Sequence, residues 1–152
     1  MKTLLFLCTG NYYRSRYAEE LFNHRAARSG LKWQAQSRGL AIERGIDNVG
    51  PLSRFALEAL AERGLVAQGA HRLPQQCTAI DLTTADHIVA LDQSEHRPLM
   101  RERFPDGLRV ELAGDATGDL AERRPAMHQN SLTRDVGGGR SPATEAKIAC
   151  CS

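Results

Sequence analysis

The run TLLFLC at residues 3 to 8 is apolar at every position but the first and shows no alternation. A strand with one face in water alternates polar and apolar side chains. An unbroken short run belongs to a strand covered on both faces, as in a parallel sheet. The period then changes. After Gly10 and Asn11, apolar residues recur at helical spacing (Tyr17, Ala18, Leu21, Phe22 and Ala26), Glu19, Glu20, Asn23 and His24 fill the other face, and Gly30 stops the pattern. Buried strand, tight loop and amphipathic helix together commit the chain to an α/β sheet with right-handed crossovers and helices on both faces.

The rest of the sequence repeats that alternation. KWQAQS, 32 to 37, reads as a second strand, and Pro51 is expected to open a helix whose Leu52, Phe55, Ala56, Ala59 and Leu60 form one stripe before Gly64. DHIVALD, 86 to 92, gives a third strand, a helix is expected over roughly 94 to 104, and RVEL, 109 to 112, supplies a fourth strand. Beyond residue 113 the patterning decays, and from Met127 three consecutive glycines and a Ser-Pro replace any apolar stripe. The expectation is one domain over residues 1–126 and a disordered or atypical tail over 127–152. A doubly wound sheet of this size should close with a last helix, and the tail has no stripe to form one.

Composition excludes several function classes. A chain of 152 residues with 41% apolar content has room for one hydrophobic core. The net charge is +2, and the 17 arginines among 20 basic residues are spread along the chain rather than gathered into a stripe, which argues against a nucleic-acid partner. No apolar run reaches the ~18 residues that span a bilayer, and the N-terminal stretch is too short for a signal h-region, so no membrane partner and a cytoplasmic location are expected. Four cysteines occur, at 8, 77, 150 and 151, and the adjacent pair would close only a strained ring. A disulfide framework is therefore not expected. The five histidines show no metal-ligand spacing, and no metal is expected.

Cys8 remains, at the carboxyl end of the first strand, where open parallel sheets bind their ligands. The loop TGNYYR that follows leads into a helix N-terminus, so its amides and the helix dipole suit an anion. Arg14 offers a planar fork matched to two phosphate oxygens, and Gly10 and Asn11 tolerate the left-handed backbone of a tight loop. The same positive field should depress the Cys8 pKa below the free value of about 8.5. A chance C-x5-R spacing is expected about half a time in such a composition, so the spacing gains its meaning from the strand, the Gly-Asn pair, Ser15 and the helix around it.

CTGNYYRS followed by RYAEELF resembles the signature of the low-molecular-weight protein tyrosine phosphatases, in which Cys-x-Gly-Asn-x-x-Arg-Ser precedes a helix containing Ala-Glu. QSRG at 36 to 39, DNVGP and the stretch from Ala70 to Asp92 are similar to that family less specifically. The resemblance implies a flavodoxin-like three-layer sandwich with a four-stranded parallel sheet, here with an irregular C-terminal part. It implies a cysteine-dependent phosphatase acting on phosphotyrosine or small aryl phosphates through a phosphocysteine, with no cofactor. Its partners would be phosphorylated proteins or small phosphate esters. Carried onto this sequence, Cys8 is the nucleophile, and Arg14 with the amides of Thr9, Gly10, Asn11, Tyr12 and Tyr13 binds the phosphoryl oxygens. Ser15 donates to the sulfur, and Asn11, tied to Ser37, shapes the loop.

The sequence departs from the family at two places. The family's general acid lies in an Asp-Pro pair after the last strand, and this chain has none. Thr117 falls at that place, with Asp115 and Asp119 on either side as candidate acids. Where many members carry a second loop cysteine, Tyr13 stands, so Cys8 is expected to lack that shelter from oxidation. Tyr12 and Tyr13 are expected at the mouth, or packed against the 40s loop. Cys77 is expected to be a small buried thiol, Trp33 core, and His96 a solvated helix face. Two competing functions share these features. Thioredoxin-linked arsenate reductases resemble the same loop but need two more central cysteines, which the strand ending at Asp92 does not carry, and Cys77 lies too early. A phosphate-binding module without turnover would use the cradle alone.

Overall fold

The computed structural model describes residues 1–105 and 110–112. The first run forms β1, Lys2–Cys8, at whose centre the parallel sheet is built. It pairs with β2 (Trp33–Gly39) from Lys2↔Trp33 to Cys8↔Gly39, and on its other side with β3 (His87–Ala90). A two-residue β4, Glu111–Leu112, pairs in parallel with Val89 and Ala90, giving the order β2-β1-β3-β4. Three strands thus carry the sheet and the fourth adds a short edge. Four helices join them: α1 (Arg14–Arg28), α2 (Arg54–Glu62), α3 (Ala79–Thr84) and α4 (Gln93–Arg103).

The alternation along β1 sorts the core. Leu5 and Leu7 join Leu82 of α3 and Leu99 and Met100 of α4 in one buried cluster with Ile88 and Ala90 of β3. Phe6 points the other way and meets Phe22 of α1 edge-on at 6.1 Å. Helices therefore lie on both faces, which is why β1 needs an unbroken apolar run. The described residues belong to a compact unit running from Met1 to Gly114; a second unit, Asp115–Ser152, lies outside them.

Several expectations are corrected. Pro51 does not open α2: Ser53 caps it, its hydroxyl accepting from the Phe55 N–H, and Pro51 precedes the cap. Trp33 is half-buried at the start of β2 rather than in the core, and its ring packs under Lys2 Nζ at 5.4 Å. The polar side of α1 does not simply face water. Asn23 accepts from the Ala35 N–H (2.7 Å) and donates to its carbonyl (3.0 Å), satisfying the outer edge of β2. Glu20 is buried, accepting from the amides of Gln68 and Gly69 at 2.8 and 2.7 Å.

Candidate active site

Cys8 ends β1 and is 2% exposed. The chain then turns through Asn11, whose φ of +47° is the left-handed conformation that asparagine tolerates. That turn brings the Asn11 N–H to 3.3 Å from Cys8 Sγ. In the first turn of α1, Ser15 Oγ sits 3.0 Å from the same sulfur. Two hydrogen-bonding groups thus converge on the thiol, from a loop that enters the amino end of a fifteen-residue helix.

The loop is held by a buried polar network. Asn11 Nδ2 donates to Ser15 Oγ (3.0 Å) and Ser37 Oγ (2.8 Å), while Asn11 Oδ1 accepts from the Gln75 N–H at 2.9 Å. Ser37 in turn donates to Glu19, which also takes Arg72 Nη2; that guanidinium lies 3.0 Å from Ser37 Oγ. Arg16, fully buried, donates to the carbonyls of Pro51, Gly69 and Arg72 and so fastens two more loops to α1. Burial and the neighbouring Arg72 push its pKa down from the usual guanidinium value. Gly39 lets the two strands' carboxyl ends close up: a Cβ there would stand 2.9 Å from the Thr9 carbonyl oxygen and 3.1 Å from the Asn11 nitrogen.

Arg14 opens α1, and its fork is engaged from α4. Nη1 and Nη2 donate to the two carboxylate oxygens of Glu95 at 2.8 and 2.7 Å, and Asp92 Oδ2 lies 3.9 Å from Nη1. Thr9 Oγ1 donates to Glu95 as well. Burial opposes the charge on Glu95, but the bonds and charge of Arg14 and the Thr9 hydroxyl outweigh it and hold the carboxyl down at about 2. Burial likewise works against the Arg14 charge, and the Glu95 carboxylate keeps its pKa raised.

Of the residues singled out from sequence, the structure brings Cys8, Thr9, Asn11, Arg14, Ser15 and Ser37 together. Gly10 lies in the same turn, where a Cβ would stand 2.7 Å from Asn48 Nδ2. Tyr12 binds the 40s loop, its hydroxyl donating to the Val49 carbonyl at 2.7 Å. Tyr13 stacks on Tyr17 at 6.4 Å, with Arg63 over the Tyr17 ring at 5.8 Å. Asp115, Thr117 and Asp119 lie outside the described residues, as does the 127–152 tail. Cys77 is buried and its thiol is pushed up to about 12, by burial first and by Asp81 second.

His96 corrects an expectation: it is fully buried rather than solvated, its Nδ1 accepting from the Asp92 N–H at 3.0 Å. Glu95, Glu19, Arg72, Gln75 and Gly39 are the site residues the sequence reading missed. For Glu95 a signal existed, the D-x-x-E spacing from Asp92 immediately after a strand. Among the described residues no cluster of three metal-binding side chains occurs, and no helix is long and apolar enough to cross a membrane.

The parallel α/β domain, with a thiol at the carboxyl end of β1 beside the N-terminus of α1, has the architecture that the loop signature implies. The model of the low molecular weight phosphotyrosine protein phosphatase family matches residues 3–123, and the chain belongs to that family. The low molecular weight protein-tyrosine-phosphatase YfkJ of Bacillus subtilis is 35% identical over 94 residues, 60% of this chain and 57% of that protein. The match thus spans little more than half of that relative's length. The crystal structure of Bacillus subtilis YfkJ is similar with a TM-score of 0.65 at 25% identity, over 99% of this chain and 85% of that one. A low molecular weight protein tyrosine phosphatase from T. tengcongensis has a TM-score of 0.58 at 30% identity, over 72% and 73% of the two chains.

Proposed function

We propose that this chain is a cysteine-dependent phosphatase that hydrolyses phosphotyrosine or small aryl phosphates through a phosphocysteine. The observation that carries this reading is the convergence of Ser15 Oγ (3.0 Å) and the Asn11 N–H (3.3 Å) on Cys8 Sγ at the start of α1. Both groups stabilise negative charge on sulfur, the form that attacks phosphorus. In the first step the S–P bond forms as the P–O bond to the phenol breaks. In the second, water attacks phosphorus and the thiolate leaves, with Ser15 donating to it. The amides of residues 9–14 and Arg14 would carry the charge of the equatorial oxygens. Tyr12 and Tyr13 would border the substrate ring. No cofactor is required by these steps.

The strand order and the helices on both faces support a flavodoxin-like sandwich. The family match ending at residue 123 supports a domain over 1–126. The proton for the leaving phenolate is assigned to Asp115 or Asp119. Incubation with p-nitrophenyl phosphate should show multiple turnovers that Cys8→Ser abolishes. Phosphate binding without turnover would instead favour a binding module. Asp115→Asn or Asp119→Asn should slow a phosphotyrosine peptide more than p-nitrophenyl phosphate, whose leaving group needs a proton less. Wild-type rates from both variants would remove the acid assignment.

A further inference from the structure

Asp92 and Glu95 have the spacing of a reciprocal helix cap, in which the first side chain accepts from the second residue's amide and the second carboxylate reaches back to the first amide. Half of that cap forms: Asp92 Oδ1 accepts from the Glu95 N–H at 2.9 Å. The return bond is made by a different residue, because the Asp92 N–H donates to the buried His96 Nδ1 at 3.0 Å. Relieved of capping, the Glu95 carboxylate extends toward the loop after β1. There it accepts from both terminal nitrogens of Arg14, at 2.8 and 2.7 Å, and from the Thr9 hydroxyl.

The two terminal nitrogens of a guanidinium form a fork whose spacing fits two oxygens of a carboxylate or of a phosphate equally well. The arginine that the loop offers to an anion therefore already holds one. We infer that Glu95 is a built-in competitor for the phosphoryl group at the Arg14 fork, and so sets the anion affinity of this site. This rests on the reading of the loop as a phosphate cradle. Protonation does not release the latch at ordinary pH, since the Glu95 carboxyl is held at about 2. Exchange of one anion for another does. Asp92 Oδ2, 3.9 Å from Nη1, stays beside the guanidinium to orient it once Glu95 has yielded. Arg14 then carries a full charge toward substrate, in a site closed to weakly competing anions.

The test compares the full chain with Glu95→Gln, which keeps the size of the side chain but removes its charge and one of the two oxygens that accept from Arg14. Iodoacetate alkylation of the Cys8 peptide, read by mass spectrometry over a series of inorganic phosphate concentrations, requires no turnover. Half-protection is expected at about tenfold lower phosphate in the variant. With p-nitrophenyl phosphate, KM is expected to fall by a similar factor while kcat changes less, a split that a merely structural role would not produce. An unchanged or higher phosphate requirement in the variant overturns the inference. Should Glu95→Gln lose the wild-type far-UV melting transition, Thr9→Val is read the same way. It removes one of the bonds to the carboxylate, so a lowered phosphate requirement supports the latch and an unchanged one overturns it. Protection of Cys8 without turnover would sink the phosphatase reading and leave the latch standing. Protection in neither protein would sink both.

Discussion

A methyl group on Gly39 would stand 2.9 Å from the Thr9 carbonyl oxygen and 3.1 Å from the Asn11 nitrogen, and both neighbours are backbone that cannot rotate away. Asn11 already sits at a φ of +47° and spends its side chain on Ser15, Ser37 and the Gln75 amide. Displacing it moves the amide that faces Cys8 Sγ at 3.3 Å. Gly39→Ala should therefore lower kcat/KM on p-nitrophenyl phosphate by about 100-fold, the scale of a misplacement of about 1 Å in a preorganised site. Circular dichroism should still show the α/β signature, since Gly39 is no member of the buried hydrophobic cluster. Wild-type kinetics from Gly39→Ala would mean that the loop tolerates the shift and that the close approach at Gly39 does not set its geometry.

At the scale of elements, the sheet's exposed edge is managed by a helix side chain. Among the described strands β2 lies at the edge of the sheet beside β1, and the outward N–H and carbonyl of Ala35 are taken by Asn23 of α1 at 2.7 and 3.0 Å. Ala35 is 1% exposed, so water does not readily replace those bonds. Asn23→Ala should cost about 2–4 kcal/mol of stability, from two buried backbone groups left unpaired at about 1–3 kcal/mol each and partly resolvated. Urea denaturation followed by circular dichroism measures this directly. A loss under about 0.5 kcal/mol would place Asn23 among ordinary surface residues. The same helix anchors the loops beyond β2 through Arg16, Glu19 and Glu20, which joins the integrity of the site to that of α1.

For the molecule as a whole, the Arg14–Glu95 pair links β1 and its loop to α4, and its charge makes the link pH-dependent. Glu95 is held at about 2 against an ordinary value of 4.5, so its ionised form is favoured in the folded state. Its contribution to stability is fully present above about pH 4.5 and is lost as the pH falls toward about 2. Between about pH 5 and pH 2.5 the wild type should lose more stability than Glu95→Gln, measured as the shift in the urea midpoint at each pH. Parallel losses in the two proteins would show that the pair contributes nothing to folding.

The strand–helix alternation, the position of Cys8 and the loop signature were legible because each is local: a period, a terminus, a contiguous stretch. The bounds of β1, β2, α2, β3 and α4 were legible to within a few residues, whereas the six-residue α3 was given none. Pro51 misled because proline favours the first helical position, whereas here the helix is capped two residues later by Ser53. Trp33 misled because an apolar side chain at a strand's first residue can lie past the end of the core, and His96 because a polar residue on a helix can turn inward when a backbone N–H awaits it. The sequence by itself determined a parallel α/β unit with a thiol at the head of the loop between its first strand and first helix, since hydrophobic period and turn chemistry are written along the chain. Only the tertiary structure decided what surrounds that thiol. Glu95, Arg72, Gln75 and Gly39 come to the loop from elements distant in the chain, and such proximity follows from how strands and helices pack, which no local pattern records.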